Sequence, residues 1–206
     1  MKRFVLFLWF CGAAFADSPI TSTDIGAAYE DDLFVREALE TKVLSDRLAA
    51  FLADSSAPID VKIAVINAIG WEAPNSGKNA DLFFKFLNKS KRYKDFNEFV
   101  QTANGEDLIS MAYFKAMDDK ISDAIKIAKI AKSRSPRSYT VNIIAELIEA
   151  QKALGEDWCE VFKLTDRVRQ NKSLIKDMHQ EAIDEIFAYM DAYESECPNS
   201  ANDDLY

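Results

Sequence analysis

Two cysteines, one histidine and several paired carboxylates are the residues of this chain best suited to chemistry. Cys159 lies in GEDWCEV, residues 155–161, beside Trp158 and just after a glycine–acid turn where a helix should begin. Its type allows a nucleophile, a metal ligand, half of a disulfide or a small buried residue. A zinc site needs about four ligands, and His179 is the only histidine. An early helical position favours a reactive thiolate, but Glu156, Asp157 and Glu160 surround the sulfur and oppose that charge. A thiol-based redox role would require Cys159 exposed and without a partner. Of the three cysteines, Cys11 falls in an N-terminal segment that reads as a cleaved export signal. Cys159 and Cys197 remain, and an even pair in an exported chain is expected to be a disulfide.

His179 sits between Ile175 and Ile183 at helical spacing, on the edge of an apolar stripe. There its ring would cover core while its polar tip meets water. The acids gather as Glu30-Asp31-Asp32, Asp118-Asp119 with Asp123, Glu194 with Glu196, and Asp203-Asp204. Two facing carboxylates would suit a glycosidase. However, Asp118, Asp119 and Asp123 flank a helix–helix turn, where acids cap helices. The sequence holds no nucleophile elbow, zinc-protease motif, phosphate-binding glycine loop or calcium loop. No catalytic residue, metal ligand or cofactor is assigned.

One basic island interrupts the acidic chain. DLFFKFLNKSKRYKDFNEF, residues 81–99, carries Lys85, Lys89, Lys91, Arg92 and Lys94 among Phe83, Phe84, Phe86, Tyr93, Phe96 and Phe99. With Trp71, the cations and Tyr93 form a candidate partner-binding patch, because aromatics and arginine anchor interfaces. The favoured reading places the phenylalanines in the core and leaves the lysines to solvate the turn around Ser90.

The elements that hold these residues begin after MKRFVLFLWFCGAAFA. A basic start, an apolar run and Ala14-Phe15-Ala16 predict a signal peptide over 1–16, cut after Ala16 and too short to span a bilayer stably. A lipoprotein cut before Cys11 ranks behind, since Phe10 places a bulky ring where a small residue belongs. The expected destination is the periplasm or the outside of the cell. Of 25 Lys and Arg, 23 would remain against 34 acids, so the mature chain carries −11. That charge argues against nucleic acid and anionic lipid as partners. No later stretch is apolar for long enough to embed in a membrane.

Alternating strand patterns are missing, and Pro58, Pro74, Pro136 and Pro198 fall between helical periods. Helices are predicted over 31–41, 44–53, 59–71, 79–88, 93–102, 106–117, 121–133, 138–154, 158–170 and 174–195. An extended lead-in over 17–26 precedes a single domain over 27–197, and a disordered tail follows over 198–206. Segments 106–117 and 121–133 are apolar on two faces, whereas 174–195 has one broad stripe. This pattern predicts an all-α fold of antiparallel helix pairs stacked as a short α-solenoid, with a compact helical bundle as the alternative.

Two stretches resemble known helical repeats. SAPIDVKIAVINAIG, residues 56–70, is similar to the second helix of a HEAT repeat through Pro58, Val61-Lys62, Ala64, Ala68, Ile69 and Gly70, with Lys62 where arginine is usual. Residues 105–138 resemble a tetratricopeptide unit through Leu108, Met111, Ala112, Ala124, Ala131 and Pro136, with Lys115 where an aromatic belongs. Residues 139–173 continue that pattern faintly, through Gly155 and Trp158. These resemblances cover about a third of the chain and imply a binding scaffold without a catalytic residue. The expected function is therefore an exported, non-enzymatic protein that recognises a protein or peptide partner. A secreted hydrolase or glycan-binding protein using clustered acids and aromatics is the alternative.

Overall fold

The computed structural model describes residues 18–70, 76–89 and 92–198. The predicted signal peptide with Cys11, together with Trp71, Lys91 and the tail beyond Pro198, lies outside those residues. Among the described residues the fold is all-helical. Its α-helices are α1 (Leu33–Thr41), α2 (Asp46–Ala53), α3 (Ile59–Ile69), α4 (Asn79–Leu87), α5 (Phe96–Thr102), α6 (Gly105–Met117), α7 (Ile121–Arg134), α8 (Tyr139–Ala153), α9 (Trp158–Gln170) and α10 (Gln180–Met190). Short 3-10 helices at Ile25–Tyr29 and Asp191–Glu196 flank them.

The helix starts are encoded by polar side chains that take up orphan N–H groups. Asp32, Ser45, Asp95, Asn104, Ser138 and Asp157 each accept a backbone N–H from the first turn of the helix that follows. For α4 the acceptor comes from elsewhere. Asp118, at the end of α6, takes the N–H groups of Asn79 and Ala80 at 3.2 and 2.8 Å. Asp118 is buried, which raises its carboxyl above the usual range although these bonds pull it down.

Helix α6 lies at the centre, against α3, α4, α7 and α8, and its run from Asp107 to Met117 is buried. This accounts for its two apolar faces. Helix α8 is similarly enclosed by α6, α7 and α9. Asp118, Asp119 and Lys120 link the two helices, and Asp119, whose φ is +60°, helps reverse the chain so that α6 and α7 pack antiparallel. They approach closely because residue 105 is glycine. A Cβ there would collide with Ser135 and lie 3.0 Å from the Ala131 carbonyl oxygen.

The lead-in over 17–26 is expected to be extended, but its described residues 18–26 form a packed turn with Ile20 and Ile25 in the core. Asn67 of α3 holds the segment in place. It accepts from Gly26 N–H at 2.9 Å and donates to the Thr23 carbonyl and the Tyr113 hydroxyl at 2.9 and 3.0 Å.

The predicted helix over 174–195 needs correction. It is α10 followed by the 3-10 helix, and residues 174–179 are not helical. Ile175 instead makes an isolated parallel bridge with Ser138, donating to the Arg137 carbonyl at 2.7 Å and accepting from Tyr139 N–H at 3.1 Å. Asp177 accepts from Thr140 N–H at 2.8 Å. The backbone of this segment therefore serves the start of α8 rather than a helix of its own. Ile175 is 53 % exposed and does not join the apolar stripe.

Candidate functional site

Three places draw together side chains with chemical potential. The first is built on Tyr29, at the end of the first 3-10 helix. Its hydroxyl donates to Asp60 Oδ2 at 2.8 Å and accepts the His179 backbone N–H at 3.0 Å. The imidazole of His179 lies over the tyrosine ring, with centroids 4.5 Å apart and planes 18° from parallel. His179 is thus the residue preceding α10 rather than a mid-helix boundary residue, and it is exposed. Burial raises the Tyr29 hydroxyl far above its ordinary value, so it stays protonated as a donor. A surface cavity of about 770 Å³ opens here, lined by Tyr29, Glu30, Asp31, Asp32, His179 and Glu181. Asp32 is committed to capping α1 through the N–H groups of Phe34 and Val35.

The second place is the interior around Lys62. This lysine is fully buried on α3, and its Nζ has no hydrogen-bond partner among the described residues. Its charge acts on Glu106 and Asp107, in the first turn of α6. Burial lifts both carboxyls above the usual range, and Lys62 pulls them back down. Arg92 reaches Asp107 from outside at 3.8 Å.

The third place is the surface end of α9. Cys159 and Cys197 form a disulfide, 38 residues apart in sequence, which ties the second 3-10 helix to the start of α9. Trp158, 41 % exposed, stacks on Tyr193 with centroids 5.5 Å apart and planes 16° from parallel. Tyr193 and Tyr189 share a hydroxyl–hydroxyl hydrogen bond of 2.7 Å.

None of three comparisons with known proteins returns a relative. No family model, no curated protein and no solved structure matches the chain.

The basic island is divided by the fold. Tyr93 is buried, edge-on to Phe99 with centroids 5.2 Å apart, and Phe83 and Phe99 are fully buried. Lys89 pairs with Asp46 at 3.0 Å and lies over the Phe86 ring, while Arg92 lies over Tyr93. Lys85 and Lys94 are exposed. Phe83 and Phe99 therefore supply core, Phe84, Phe86 and Phe96 pack against it, and Lys89 and Arg92 cover its edge. Tyr29, Asp60 and Tyr193 drew no attention in the sequence. Their partners lie 31 to 150 residues away, and no local pattern announces such contacts. Among the described residues no group of three or more His, Cys, Asp or Glu is placed to hold a metal ion.

Proposed function

We propose that this chain is an exported, non-enzymatic scaffold that recognises a protein partner through its helical surface. The observation that carries this reading is the commitment of its reactive side chains. The one imidazole lies flat on Tyr29, whose hydroxyl is held by Asp60 and the backbone of residue 179. Asp118, Asp177 and Asp32 serve helix starts. Against these stands Trp158, a large aromatic turned partly to solvent, of the type that anchors interfaces.

Antiparallel neighbours α6 and α7, followed by α8 and α9, support a short solenoid of stacked helix pairs of the tetratricopeptide kind, with α2 and α3 as a HEAT-like pair. The disulfide accords with a periplasmic or secreted location after removal of residues 1–16. No described helix is long and apolar enough to cross a membrane. Affinity capture with the tagged, full-length chain from its own organism tests the reading. One protein should co-purify in stoichiometric amount, and its absence would refute the proposal. Changing Lys91, Arg92 and Lys94 to Glu tests the basic patch, which unchanged capture would dismiss.

A second reading draws on the cavity beside Tyr29 and His179, where Glu30, Asp31 and Glu181 gather near an aromatic pair. A glycan-binding protein or hydrolase would place a sugar there. Glycan-array binding that Glu181→Gln abolishes would favour it over the scaffold.

A further inference from the structure

The stacked pair Trp158 and Tyr193 is held on both sides. Cys159, bonded to Cys197, adjoins the tryptophan, and Tyr189 fixes the Tyr193 hydroxyl. An exposed aromatic surface that is already rigid loses little conformational entropy when a ligand arrives. The two segments that build it are acidic. The two segments brought together, 154–160 and 191–198, contain six acids and no Lys or Arg. Three of the six are occupied: Asp157 caps α9, Glu160 pairs with Arg167, and Asp191 pairs with Arg169. Glu156, Glu194 and Glu196 are exposed, and among the described residues no cation pairs with them.

We propose that this aromatic ledge docks a basic segment of a protein partner, with an Arg or Lys side chain over the Trp158 indole and its neighbours paired to Glu156, Glu194 and Glu196. Guanidinium and ammonium groups favour the face of an indole above other rings. A second copy of this chain is a poor occupant, because it would bring the same acids against themselves. The inference deepens the scaffold reading and rests on it.

The test uses the full exported chain and a fluorescent nine-residue peptide of alternating arginine and glycine, read by anisotropy. A glutamate–glycine peptide is the control. The arginine peptide binds and the glutamate peptide does not. Trp158→Ala weakens binding about threefold or more. The combined Glu156→Gln, Glu194→Gln and Glu196→Gln variant, which keeps the ring pair, does likewise. The remote pair Glu30→Gln and Asp31→Asn leaves binding unchanged. Equal weakening by the remote pair would reduce the effect to net charge and overturn the proposal, as would absence of binding. A captured protein partner that is retained by Trp158→Ala removes the ledge alone and leaves the scaffold standing. A chain that captures no protein removes the scaffold as well.

Discussion

Tyr29 and His179, 150 residues apart, are joined twice, by a ring stack at 4.5 Å and by a hydrogen bond from the histidine backbone to the tyrosine hydroxyl. The stack covers one element with the other, but the hydroxyl matters more because it also satisfies the buried carboxylate of Asp60. Tyr29→Phe should therefore cost about 1–3 kcal/mol, the penalty of leaving buried polar groups unpaired. His179→Ala keeps the backbone donor and should cost less. Urea denaturation of the two variants measures the difference, and a larger loss from His179→Ala would place the energy in the ring stack.

The disulfide closes a stretch with a sequence separation of 38. Paired Cys159→Ser and Cys197→Ser should lower stability by up to about 4 kcal/mol through the freer unfolded chain. The same change should speed amide exchange in residues 191–196 while leaving α6 protected. Uniform acceleration across all helices would contradict the local role given to the bridge.

Gly105 permits the close approach of α6 to α7. Gly105→Ala should cost about 1–3 kcal/mol, since the added methyl meets Ser135 and the Ala131 carbonyl. Adding Ser135→Gly should recover part of the loss, because it removes one obstacle and leaves the carbonyl at 3.0 Å. A thermal melt of the single and double variants decides this.

Asp107, Glu106 and Asp118 all hold their protons more tightly when folded, chiefly because burial penalises the carboxylate. The folded chain then binds more protons than the unfolded one just above the ordinary carboxylate range. Their contribution to stability is complete below that range and is lost as pH rises through the folded values. The melting temperature should accordingly rise as pH is lowered from neutrality toward the ordinary carboxylate range. Asp107→Asn should flatten that rise. Asp54 acts in the opposite sense, held below its usual value by the Ser56 backbone N–H and hydroxyl, so its effect falls in more acid solution.

Much of the architecture was legible because its determinants are local. Ser45, Asn104 and Asp157 are capping residues at the very starts they specify, and the apolar faces of 106–117 and 121–133 already implied cover from two sides. The disulfide was expected from the pair of cysteines that remains once Cys11 is assigned to the predicted export signal. The stretch 174–179 misled for a physical reason: Ile175, Met178 and Ile183 copy helical spacing, while the bonds that fix it reach across to Arg137, Tyr139 and Thr140. Lys62 was equally opaque. A lysine on an amphipathic helix suggests solvent, and its burial depends on α6 arriving with Glu106 and Asp107. The Trp158 ledge needed Tyr193, which only the folded chain brings alongside.

The reach from Tyr29 to His179 also bears on the order of assembly. Helices α6 to α9 meet their sequence neighbours and can form as soon as each has emerged, whereas the 3-10 helix at Ile25–Tyr29 must wait for α10 to complete its cover. Distant contacts of this kind slow folding relative to neighbour-only packing. A nascent chain would therefore carry an oily N-terminal edge through nearly all of its synthesis, which is the interval in which a chaperone would find something to hold.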